Sequence, residues 1–87
     1  MHELGLAGGI FDIVRQHVPV SQAALVRVVR LRIGALAGVV PESLQFCFDA
    51  IVAGTPYGSA SLQIECLPGD ELQVVDVEID DGLEVMP

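Results

Sequence analysis

The chain reads as an α/β protein of the two-layer α+β kind: two helices on one face of a three-stranded mixed sheet, in the order α-β-α-β-β. Three observations predict this. Apolar residues recur at helical spacing over residues 4–18 and again over residues 41–53. Three other segments alternate apolar and polar side chains, as strands with one covered face do. One helix falls between the first two strands, which calls for a β-α-β crossover, and a short turn before the last strand reads as a hairpin.

In the first helix Leu6, Ile10, Ile13, Val14 and His17 share helical spacing, and Pro19 marks the end. His17 on that face reads as a packed or capping histidine. Gly8 and Gly9 lie inside the helix, where each costs about 1 kcal/mol relative to alanine. Close approach of another backbone or of a partner surface would justify them; a helix that is simply weak at its start is the alternative. LVRVVRLRIG then alternates, with Val29, Leu31 and Ile33 on one face and Val28, Arg30 and Arg32 on the other. After a turn through Gly34 and Gly38, Pro41 opens the second helix at a first-turn position. Leu44, Cys47, Phe48 and Ile51 form its buried face, and Gly54 ends it.

Following a Thr55-Pro56-Tyr57-Gly58 loop, SLQIEC places Leu62, Ile64 and Cys66 inward. LPGDEL is a turn and ELQVVDVEID the third strand. Its apolar parity changes from Leu72 and Val74 to Val77 and Ile79, which predicts a bulge near Val75 and Asp76 or burial on both faces there. Residues 1–80 make one domain and residues 81–87 an acidic tail.

Composition narrows the function. Eighty-seven residues provide one core, and no uninterrupted apolar run reaches the length of a membrane span. The amino terminus lacks the pattern of a secretion signal, so a cytoplasmic protein is expected. Twelve acids oppose four arginines, with no lysine and a net charge of −8. That balance excludes nucleic acid and anionic membrane as partners, since both require a basic patch. All four arginines fall between Arg15 and Arg32, whereas residues 65–84 hold eight acids and no base, so the two halves should attract each other or a basic partner. Cys47 and Cys66, far apart and flanked by apolar residues, build neither a disulfide framework nor a zinc site.

No catalytic constellation is present: no hydrolase elbow, P-loop or GxGxxG, and Leu6 stands where a zincin would need its second histidine. The opening MHE is chemically different. The α-amine of Met1, the amide nitrogen of His2 and Nδ1 of the same imidazole can close a five- and a six-membered chelate ring on one metal. Ligation by a deprotonated amide suits square-planar nitrogen geometry, hence Ni(II) or Cu(II) rather than Zn(II). A frayed terminal histidine is the competing reading.

The central segment RIGALAGVVPESLQFCFDAIVAGT, with the MHE start, resembles the HypA family of hydrogenase and urease nickel-maturation proteins. Ile33, Gly34, Leu36, Gly38, Val39, Pro41, Glu42, Leu44, Phe46, Phe48, Gly54 and Thr55 fit its pattern, and the likeness continues through LQIE to ELQVVDVEI. The resemblance implies Ni(II) bound by Met1 and His2 with Glu3 beside the site, and nickel exchange with the GTPase HypB. It also implies a HypB-facing surface on the leading helix, at Leu4, Gly8, Gly9 and Asp12. The client would be the hydrogenase large subunit or the urease accessory proteins, and the protein a metallochaperone rather than an enzyme.

One departure is large. Family members carry a zinc domain with two CxxC pairs between the last two strands, and here IECLPGDELQV runs straight through, leaving the domain absent between Pro68 and Gly69. No zinc is therefore expected. Two further expectations follow. The closed monomer competes with a homodimer formed by swapping the third strand, and nickel delivery competes with a fold kept only for protein interaction.

Overall fold

The computed structural model describes residues 3–80 and the backbone of residues 84–85. Helix α1 (Glu3–His17) leads through a 3-10 turn (Val20–Leu25) into strand β1 (Val26–Gly34). A second 3-10 turn (Ala35–Ala37) precedes α2 (Pro41–Val52), followed by β2 (Ser61–Leu67), β3 (Leu72–Ile79) and a two-residue strand β4 (Glu84–Val85). The predicted α+β architecture is present, and β4 adds a short fourth strand to the sheet where an acidic tail was expected. Residues 81–83 and 86–87 of that tail lie outside the described residues.

The sheet order is β2-β1-β3-β4, with β2 parallel and β3 antiparallel to β1. β2 and β3 are therefore not a hairpin, contrary to the sequence reading. Local alternation identifies strands but carries no information about which edge of β1 each one takes. Their connector instead crosses the end of β1. Gly34 N–H donates to the Glu71 carbonyl and Leu36 N–H to the Gly69 carbonyl, each at 2.7 Å. This explains the glycine at 34: a Cβ there would stand 2.2 Å from the Gly69 carbonyl oxygen. Gly69 itself turns the connector with φ 105°.

One apolar layer holds the helices on the sheet. Ala7, Ile10, Val14 and Val18 from the α1 segment meet Val29, Leu31 and Ile33 of β1, Leu44, Phe48 and Val52 of α2, and Val77 of β3, all buried. The predicted parity of β1 holds, with Arg30 and Arg32 on the open face. β3 bulges where expected: Arg30 faces Asp76 and Leu31 faces Val74, leaving Val75 as the extra residue. Tyr57 closes the far end, edge-to-face with Phe11 at 5.4 Å and donating its hydroxyl to the Val18 carbonyl at 2.7 Å.

Three side chains are more exposed than expected, although the capping role read for His17 is present. His17 is exposed rather than on the buried stripe, and its Nδ1–H donates to the Ile13 carbonyl at 2.9 Å, capping the last turn of α1. Ala7 and Val18 take the buried positions instead. Cys66, expected inward, is exposed, and Cys47 is half-buried. The reason is length. Gln45 of α2 reaches the Leu62 carbonyl, and the helix extends only about 6 Å further toward its start. Leu62 to Cys66 spans about 13 Å of strand, so Cys66 lies beyond the cover of α2.

The attraction between the basic and acidic halves is realised on the open face. Arg30 bridges Asp76 at 2.7 Å and Glu78 at 2.5 Å, Arg27 pairs with Asp80 at 2.6 Å, and Arg32 with Glu65 at 3.1 Å. Asp76, then Glu78, raise the Arg30 guanidinium above its ordinary range by hydrogen bonding. No helix among the described residues is long and apolar enough to cross a membrane.

Candidate functional site

Met1 and His2, the expected chelating pair, lie outside the described residues. The third member, Glu3, is the first residue of α1 and is half-buried. Its Oε2 accepts a hydrogen bond from the backbone N–H of Val40 at 3.3 Å. The end of the molecule that carries the start of α1 therefore also carries the start of α2.

The expected partner-facing residues share the exposed side of α1. Leu4 is 61% exposed. Gly9 and Asp12 are exposed, Gly8 is half-buried, and a Cβ built at Gly8 or Gly9 would meet nothing within 4 Å. Among the described residues, no atom outside the helix's own backbone comes that close, so packing against them does not account for these glycines. Gly5 and Gly9 line one wall of an apolar groove of about 250 Å³, completed by Leu6, Ile10 and Ile13 of α1, Leu31 of β1, and Leu72 and Val74 of β3. Asp12 is not free on this face; it pairs with Arg15, whose guanidinium lies over the Phe11 ring at 4.8 Å.

Among the described residues, no three His, Cys, Asp or Glu side chains gather closely enough to hold a metal ion. Sequence reasoning missed the Val40 amide and the exposed Leu36 and Phe46, which are 79% and 74% accessible. Pro41 at the first helical position was the available signal for Val40, because it marks the preceding amide as one lying outside the ladder of α2.

The family model described as "Hydrogenase/urease nickel incorporation, metallochaperone, hypA" matches residues 1–79. The chain belongs to the HypA family. The HypA match begins at the MHE start and runs through β3, so it covers both helices and the three long strands. A hydrogenase maturation factor HypA of Desulfatibacillum aliphaticivorans is 44% identical over 69 residues, covering 78% of this chain and 53% of the relative. Hydrogenase maturation factor HypA 2 of Bradyrhizobium diazoefficiens is 48% identical over 69 residues, covering 79% and 61%. The HypA of Streptomyces avermitilis is 46% identical over 70 residues, covering 79% and 53%. These matches therefore span about half to three-fifths of each relative's length. No solved structure matches the chain.

Proposed function

We propose that this HypA-family chain is a nickel metallochaperone module of the cytoplasm that supplies Ni(II) during [NiFe]-hydrogenase maturation, with urease maturation as the second client. The observation that carries the reading is the family match from residue 1, which includes the amino-terminal Met-His pair. Nickel is cargo. The Met1 amine, the His2 amide nitrogen and His2 Nδ1 bind it, and Glu3 stands beside it. Three nitrogens from two adjacent residues favour Ni(II) over Zn(II), because a deprotonated amide demands a metal of square-planar preference.

The exposed side of α1 supports the second half of the proposal. Leu4, Gly9 and Asp12 are exposed and Gly8 is half-buried, and the glycines let a partner backbone approach closely. A HypB-like GTPase docking there would receive nickel at the adjacent amino terminus. From there the ion passes toward the hydrogenase large subunit. The acidic balance of the chain, −8 overall, suits neither nucleic acid nor an anionic membrane as a partner.

Calorimetric titration of untagged protein with Ni(II) tests the site. One ion per chain is expected, and His2→Ala, or one residue added before Met1, should abolish binding. A variant that binds like the parent would place the site elsewhere. Folded protein that takes up no Ni(II) would leave an interaction domain as the function.

A further inference from the structure

We propose that the outer edge of β3 at Leu72 and Val74 docks an extended segment of another protein in which apolar side chains alternate with lysine or arginine. Nothing in it depends on nickel. Gly34 N–H donates to the Glu71 carbonyl at 2.7 Å, in the register that also sets Ile33 against Leu72 and Leu31 against Val74. In an antiparallel ladder the two residues of such a bonded pair turn their backbone groups toward each other, and the residues next to them turn theirs away. Gln73 therefore points its N–H at β1, whereas Leu72 and Val74 point N–H and C=O outward. β4 pairs only with Val77 and Glu78, so among the described residues no strand lies beside Leu72 and Val74. Water can satisfy such edge groups, and an added strand can pair with them.

The side chains of the same two residues line the apolar groove of about 250 Å³, opposite Gly5, Gly9 and Ile13 of α1. Leu72 is 40% exposed although it sits on the helix side of the sheet. A Cβ at Gly5 or Gly9 would meet nothing within 4 Å, so the helical wall stands open. A strand added beside β3 alternates its side chains between the two faces of the sheet. Those opposite Leu72 and Val74 enter the groove, and those between them fall on the open face beside Gln73 and Glu71.

Charge selects the occupant. Asp70 and Glu71 are exposed and take part in none of the ion pairs among the described residues, whereas all four arginines are paired with acids. A second copy, itself at −8, would bring acids to acids. A segment with Lys or Arg at its open-face positions is attracted instead.

The probe is the blocked, fluorophore-bearing hexapeptide Lys-Val-Lys-Val-Lys-Val, titrated with the metal-free full chain. Lys-Lys-Lys-Val-Val-Val and Glu-Val-Glu-Val-Glu-Val are the controls. Anisotropy should show the alternating lysine peptide binding at least about tenfold tighter than either control. Amide exchange followed by NMR should slow at Leu72 and Val74 on binding and stay unchanged at Gln73. Gly9→Leu should weaken binding at least about tenfold while raising the melting temperature, because leucine occupies the groove and is a better helix former than glycine. Glu71→Lys should weaken binding about threefold to fivefold, the size of an exposed ion pair.

Equal binding of the shuffled lysine peptide would reduce the effect to charge attraction and overturn the proposal. Unchanged binding in Gly9→Leu would do the same by placing the peptide elsewhere. Leu72 and Val74 amides already protected in the free monomer would put another segment of this chain at the edge, and a dimer of the protein alone that Gly9→Leu dissolves would put a second copy there; either sinks the basic segment. Because every reading is taken without metal, failure here leaves the nickel proposal standing.

Discussion

Replacing Gly34 by alanine should destabilise the protein severely, although the change adds one methyl group to a chain of 87 residues. The new Cβ would lie 2.2 Å from the Gly69 carbonyl oxygen, 2.4 Å from its carbon and 2.6 Å from Asp70 N, all backbone atoms of the connector that crosses β1. No side-chain rotation relieves this, so the connector must lift. Lifting it breaks the two 2.7 Å hydrogen bonds from Gly34 and Leu36, each contributing about 1 kcal/mol. Residual overpacking at a buried position adds about 1 kcal/mol or more. The sum is about 3 kcal/mol, a large part of the stability of a domain this size, and corresponds to about 12–24 °C in melting temperature. Urea unfolding followed by far-ultraviolet circular dichroism measures it. Gly69→Ala is the control. The Cβ added there meets no backbone atom within 4 Å and only the constraint of φ 105°, so it should cost about 1–2 kcal/mol. A loss below about 1 kcal/mol at Gly34 would refute the crossing of the connector over β1.

Gly8→Ala should raise stability by about 0.5–1 kcal/mol, since the helix gains propensity and the methyl meets nothing; weaker binding to a HypB-like GTPase in the same variant would show the glycine kept for a partner. Tyr57→Phe should cost about 1 kcal/mol by leaving the Val18 carbonyl unpaired in the core, measured by the same unfolding curve. Arg30→Met should lower stability, because Asp76 is only 8% exposed and would lose its partner. The Arg30 guanidinium is raised above its ordinary range, so while its partners are carboxylates its contribution is lost only as pH climbs through the folded value; the parent-minus-variant difference should stay flat from neutral pH up the alkaline limb to about pH 10. Cys66 should react with a thiol reagent well before Cys47, as exposure dictates, and metal analysis of protein purified without chelators should find less than one zinc per chain.

The elements of this protein are local and were legible as such. Leu44 and Phe48 at helical spacing, Val29, Leu31 and Ile33 at strand spacing, and the parity change at Val75 each record which side chains one element buries, and the structure buries or bulges them accordingly, with Val52 fully buried where Cys47 and Ile51 were expected to be. Arrangement was not local. The position of β3 beside β1 rather than β2, the crossing of Gly69 over Gly34 and the hydrogen bond between Glu3 and Val40 join residues 35 or more positions apart. Periodicity says that a face is apolar without saying what covers it. Cys66 shows the consequence: its parity is that of Leu62, yet the three-dimensional length of α2 leaves it in solvent. The sequence by itself determined which residues form the helices and the three long strands, since the spacing of apolar side chains suffices for that. Only the tertiary structure decided the strand order, the need for glycine at 34 and the amide on which Glu3 rests, because each is a contact between backbones that no local pattern encodes.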